Sequence, residues 1–403
     1  MKSIALFLLT LASSSAYTLH EWGTFTTVAG SDGILLSGLE REEAPLPAFT
    51  YSHHGMENGN LQRPLPVADL LNPFLLTKGI RRPVTGVTVK METPVIYFHS
   101  DRAFDVEVKV GFKGGTISQW YPQRSGGEVL PAPPQPKESP VNWTLDFTRP
   151  RVGSIEWQAR VLSPRESRDA ILFKPGESLH WMRPRVPEAN AVRTADGESE
   201  GFLFYRGIGA FDPGLVTTIG NDDTLQLRNR TGGAIPFALV FERTGHHCRW
   251  KNLADALGKD ATVDLPLDQF TEGDVNFAEP VYRGMIDGLT ATGLLRSEAV
   301  AMVETWWDSY FAAEGLRVFW VMPRAQTDDI LPLEVTPPPA DSVRIMVGRS
   351  EVLRPARERA WLGLATSTDP VEQSRWEQIK KSDRFGLAYQ RRLDALTATA
   401  ARE

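Results

Sequence analysis

The sequence predicts a mainly β protein, a sandwich or partly closed barrel, with an α/β C-terminal region and terminal helices. Three observations predict it. From Tyr17 to about residue 280, short runs rich in β-branched and aromatic residues recur between Gly, Asp and Pro. Within them, Asp105-Val106-Glu107-Val108-Lys109-Val110 alternates strictly, which gives a strand one wet and one buried face. After about residue 279 the pattern turns to helical periodicity interleaved with apolar runs.

The elements follow in chain order. Residues 95–98, 104–112, 116–121, 143–147, 154–162, 201–205, 224–227 and 235–242 read as strands. The stretches 124–140 and 183–197 hold several prolines or polar residues and read as loops. Residues 282–289 form a short helix. A longer one runs over 297–313, with Ser297 as N-cap and Glu298 facing the positive end of the dipole. Val300, Val303, Trp307 and Tyr310 recur on one side of it as a core stripe, Glu304 and Asp308 form a solvated flank, and Gly315 stops it. Apolar strands at 316–322 and 342–347 flank the stiff Pro337-Pro338-Pro339 connector. Two further helices cover about 354–364 and 370–396. The implied organisation is a signal peptide at 1–16, a β-rich domain at 17–280, an α/β region at 281–353 and C-terminal helices at 354–403.

Residues 1–16 carry an address. Lys2 supplies a positive start, Ile4 to Ala12 an apolar core, and Ser14-Ser15-Ala16 the small residues that signal peptidase selects. The apolar core is shorter than the roughly 20 residues a bilayer needs. The expectation is an exported chain, periplasmic or secreted, cleaved near Ala16, with no transmembrane segment in its mature part. A formal charge of −6 argues against a nucleic-acid partner. The single Cys248 excludes an intramolecular disulfide, so the core must hold the fold.

The phrase Leu19-His20-Glu21-Trp22-Gly23-Thr24-Phe25-Thr26, followed by Ser31-Asp32-Gly33, resembles the opening of a group of exported bacterial proteins with a HEWGTFT-type motif. Met91-Glu92-Thr93-Pro94-Val95-Ile96-Tyr97-Phe98, Gln119-Trp120-Tyr121-Pro122, residues 202–207 and residues 294–347 are similar too. The resemblance touches most of the mature chain. It implies export and a shared fold, and no activity.

Several catalytic signatures are absent from the sequence: HExxH, G-x-S-x-G and the P-loop. Gly207-Ile208-Gly209 opens like a dinucleotide loop, but Asp212 stands where the third glycine belongs. The seven histidines are His20, His53, His54, His99, His180, His246 and His247. Four stand in adjacent pairs in stretches that read as loops, where neighbouring rings can converge. His53, His54, His246 and His247 are therefore the candidate ligands for a divalent metal such as zinc or copper. Alternation along a strand places His20 with Trp22 and turns Glu21 the other way. His20 is then expected to pack beside Trp22. Glu21 and Asp32 are candidate acid–base groups. Trp120, Trp143, Trp157 and Trp181 lie on or near strands and are candidate platforms for sugar rings, although a tryptophan is more often core.

Three functions follow. The first is a binding module for an extracellular glycan or small ligand. An alternative is a metal-assisted extracytoplasmic hydrolase acting on an external polymer or glycoside. A further alternative is a structural protein of the cell envelope. Convergence of the two histidine pairs would favour the second, and at least two exposed tryptophans the first.

Overall fold

The structure, a computed structural model, describes residues 17–43, 46–53, 83–130, 144–253, 255–274 and 279–400. Among these residues a sheet of 11 strands forms the middle layer. Its order is Thr271–Asp274, His247–Leu253, Ala238–Thr244, Gly315–Val321, Asp341–Val352, Thr18–Ala29, Val89–Met91, Leu203–Gly209, Gly115–Tyr121 and Tyr51–Ser52. Val95–His99 pairs with both Thr18–Ala29 and Leu203–Gly209.

Thr18–Ala29 sits near the centre because both its faces can be buried. It runs parallel to Asp341–Val352, in register from Thr18↔Asp341 to Ala29↔Val352. Leu19 and Phe25 point to one side, and Trp22 to the other. The strands of 281–353 thus share a sheet with those of 17–280.

On the Leu19 side lie two smaller sheets. Phe104–Lys113 pairs along its whole length with Val152–Val161. Its Val106, Val108, Val110 and Phe112 are buried while Asp105, Glu107 and Lys109 are exposed, as the alternation predicts. A three-stranded sheet of Leu215–Ile219, Thr224–Asn229 and Thr262–Pro266 completes this layer. One apolar core joins all three sheets. The expected mainly β architecture is therefore observed, as stacked sheets.

On the Trp22 side lie helices. Met285 and Leu289 of Glu279–Ala291, with Met302 and Trp306 of Arg296–Trp307, join a core with Trp22, Tyr97, Phe204 and Val347 of the sheet. The second helix begins after Leu295 and gives way at Asp308–Ala312 to a π-helical turn. Ala299, Met302, Val303, Trp306 and Tyr310 face the sheet, while Val300 and Trp307 are half-buried at the edge of the contact.

The C-terminal region folds as Pro355–Thr366, Pro370–Ser382 and Gly386–Ala400, three helices where two were expected. The break falls at Gly386, where an added Cβ would lie 2.2 Å from the Lys380 carbonyl oxygen. Among the described residues no helix is long and apolar enough to cross a membrane. The expected signal peptide at 1–16 lies outside the described residues.

Candidate metal centre

The two histidine pairs do not converge. His53 ends the Tyr51–Ser52 edge of the large sheet, and its Nε2 is 2.8 Å from the Ile117 carbonyl oxygen. His246 lies in the turn and His247 opens the His247–Leu253 strand beside the opposite edge; both are exposed, and His247 Nε2 is 3.8 Å from Glu272. Eight strand spacings separate the Tyr51–Ser52 and His247–Leu253 strands, roughly 40 Å at about 4.8 Å each. A shared centre of His53 with His246 and His247 is excluded, because a sheet this wide holds its edges apart. His54 lies outside the described residues.

The carboxylates nominated for acid–base work serve the fold. Glu21 is buried between the sheets, as alternation requires. It accepts from Arg344 Nε at 2.5 Å and from the Tyr205 hydroxyl at 2.6 Å. Asp32 accepts from Ile34 N–H at 3.1 Å and from Arg392 at 2.8 Å, which ties the last helix to the loop after the first strand.

Nor do the nominated tryptophans form a platform. Trp120, Trp157 and Trp181 are 0%, 1% and 3% exposed. Their indole N–H groups donate to Gln123 Oε1, the Pro122 carbonyl and Glu200 Oε2. Flat apolar rings with a satisfied donor were drawn into the core. Trp143 lies outside the described residues.

A different group comes together. His20 faces the helical side of Thr18–Ala29. It pairs across strands with Tyr97, and Thr18 pairs with His99, so His20 and His99 are diagonal neighbours on one face. Their ring centroids are 4.7 Å apart. Above them is Glu298, in the first turn of Arg296–Trp307. It accepts from Leu295 N–H at 3.0 Å, so its orientation is set by the start of the helix. His20 Nδ1 is 3.0 and 2.8 Å from its two oxygens, and His99 Nε2 is 3.1 Å from Oε1. One donor atom from each residue lies within 4.8 Å of the others.

Glu298 is completely buried, and burial opposes its charge. The hydrogen bonds from His20 and His99 outweigh that cost and hold its carboxyl below the ordinary value. His99 carries the more telling detail. Its Nδ1 is 3.1 Å from the Glu188 carbonyl oxygen, an acceptor only. Its Nε2 faces the Glu298 carboxylate, again an acceptor. A neutral imidazole has one N–H and satisfies one of the two. The other needs a second proton, or a cation between the ring and the carboxylate.

Two imidazoles and a carboxylate form a ligand set for zinc and for other divalent transition metals. With bonds of about 2.0–2.2 Å, tetrahedral donors stand about 3.4 Å apart, so small side-chain shifts fit these three around an ion. Three protein ligands leave a position for water. His99 opens onto a cleft of about 810 Å³, also lined by Ser100, Asp101, Arg168, Glu188 and Asn190. The centre thus has a route to solvent through one ligand while the other two are buried.

Strand alternation puts His20 on the same face as Trp22, as observed, and the helix start makes Glu298 a dipole partner. Nothing local in the sequence marks His99. The joining signal, diagonal pairing of two strands under one helix start, depends on tertiary register. No family model matches the chain, and no curated protein matches it.

Proposed function

We propose that this protein is a metal-dependent hydrolase whose ion is held by His20, His99 and Glu298, and that it acts outside the cytoplasm. The hydrogen bonding of His99, whose two nitrogens both face acceptors, carries this reading. An ion at Nε2 resolves that conflict and fixes the ring through Nδ1–H donation to Glu188, the usual outer support of a metal-bound histidine. Held by these three residues, a divalent ion would supply Lewis acidity and would lower the pKa of a water at its open position toward about 7. The protein's residues orient it, keep Glu298 ionised in a dry environment and present the open position to the cleft. That cleft is the size of a small-molecule site, so it admits a small substrate or one end of a polymer. Export rests on the pattern of residues 1–16.

The test uses chelator-stripped full chain and an activated ester such as p-nitrophenyl acetate. Added Zn²⁺ should restore a saturable hydrolysis that H99A lacks. Hydrolysis that is indifferent to both chelation and H99A would contradict the proposal.

A further inference from the structure

Besides His99, the cleft is lined by four side chains that carry charge: Asp101, Arg168, Arg185 and Glu188. Arg185 is closed off by two carboxylates. Its Nε and Nη2 donate to Glu200 at 2.8 Å each, and its Nη1 and Nη2 donate to Glu177 at 3.0 and 2.5 Å. The other three are uncommitted. Asp101, Arg168 and Glu188 are exposed, and their side chains make no hydrogen bond or ion pair with another described residue. Arg102, next in sequence to Asp101, does not line the cleft.

The two carboxylates belong to the segments that hold His99. Asp101 stands two residues beyond it, so their Cα atoms are at most about 7 Å apart. Glu188 puts its carbonyl oxygen 3.1 Å from His99 Nδ1. Asn190, in the same loop, clamps Ser100. Asp101 and Glu188 therefore flank the one ligand of the centre that opens onto the cleft. Arg168 comes from a separate element, the last turn of the helix Pro164–Ala170. That helix is docked beside the loop through Ser167, whose hydroxyl accepts from Ala191 N–H at 2.9 Å. Free charge of both signs thus faces the cleft, with the negative pair nearest His99.

We propose that the substrate is a short peptide or aminoacyl amide with a free α-ammonium group. Asp101 and Glu188 receive the ammonium, and Arg168 receives the carboxylate at the other end of a peptide. This rests on the hydrolase reading and names its substrate class. An α-ammonium nitrogen is two bonds from the carbonyl carbon of the first peptide bond, so holding it beside His99 sets that carbonyl at the centre. Hydrolysis adds one water: the carbonyl carbon gains the oxygen, the C–N bond breaks, and the leaving nitrogen takes a proton. An N-acylated analogue lacks the charge and leaves the carboxylate pair unmatched.

The test compares L-alanine p-nitroanilide with N-acetyl-L-alanine p-nitroanilide on the Zn²⁺-reloaded full chain at pH 7, beside p-nitrophenyl acetate as reference. The free amine should be the better anilide by at least about tenfold in kcat/KM. In D101N/E188Q, checked for an unchanged circular dichroism spectrum, that ratio should fall toward one, through KM rather than kcat. R168A should raise KM for L-alanyl-L-alanine by at least about threefold. Equal or absent hydrolysis of the two anilides, or a preference that survives D101N/E188Q, would overturn this inference and leave the hydrolase reading standing. An unchanged dipeptide KM in R168A would overturn the role of Arg168. Failure of Zn²⁺ to restore p-nitrophenyl acetate hydrolysis would remove the hydrolase reading and this inference with it.

Discussion

His99 Nε2 lies 3.1 Å from Glu298 Oε1, although 199 residues separate them in the chain. His99 ends a short strand and Glu298 opens a helix. Each is fixed by its own backbone: the end of Val95–His99 is clamped to the Asn190 loop, and Glu298 accepts from the helix start at Leu295. A ligand set held this way is ordered before any ion arrives.

Asn190 is the residue that holds the His99 end of the strand. Its side chain accepts from Ser100 N–H at 2.7 Å and donates to the Ser100 and Leu162 carbonyl oxygens at 3.0 and 2.8 Å. N190A should weaken Zn²⁺ binding about 10- to 100-fold, the range for loss of an outer-shell support. A purely structural role would lower the melting temperature and leave the affinity of the folded protein unchanged, so both are measured.

Glu21 should prove to be a stability residue. Its pair with Arg344 is buried, at 1% and 2% side-chain exposure. E21Q leaves Arg344 with the part-exposed Asp328 as its remaining carboxylate, 2.6 Å from Nη1, and should destabilise the protein by about 1–3 kcal/mol, the cost of losing one partner of a charged hydrogen bond rather than of stranding the charge. Denaturant melts measure it. Zn²⁺ affinity of the folded variant should match that of the parent, because Glu21 faces the opposite side of its strand. A large affinity loss in a stably folded E21Q would place it in the site after all.

Glu200 should make stability acid-sensitive. Burial opposes its charge, but Arg185 and Lys174 hold its carboxyl below the ordinary 4.5. A depressed folded-state pKa contributes stability that is complete above the unfolded value. That contribution is lost as the pH falls through the folded value. E200Q should therefore be less stable than the parent at pH 7, and the gap should narrow as the pH drops below about 4.5. Urea midpoints at pH 7 and pH 3.5 check this. A gap that stays constant would show that the charge of Glu200 contributes nothing.

Much of the fold is legible in the sequence. The alternation of Asp105 to Val110 is the alternation of the Phe104–Lys113 strand. The opposite facing of His20 and Glu21 also holds, because period-two geometry is local. Other expectations failed where local rules stop. Of the helix stripe Val300, Val303, Trp307 and Tyr310, Val303 and Tyr310 are buried while Val300 and Trp307 lie half-buried at the margin, because a period of 3.6 does not say which neighbouring row, here Ala299, Met302 and Trp306, shares the contact. Histidines adjacent in sequence drew attention, yet His53 and His247 ended beside opposite edges of a wide sheet. The group that did assemble draws one residue each from two strands and a helix. Its three members are distant in sequence, and only the pairing register brings them together.

The most direct test of this account is a calorimetric Zn²⁺ titration of the chelator-treated chain beside its H20A, H99A, E298A and H246A/H247A variants. One ion per chain should bind to the parent and to H246A/H247A, and the single-site variants should each bind it at least about 100-fold more weakly, as expected for loss of a direct ligand. Undiminished binding in H99A and E298A, or no binding by the folded parent, would contradict the assignment of a metal centre at His20, His99 and Glu298.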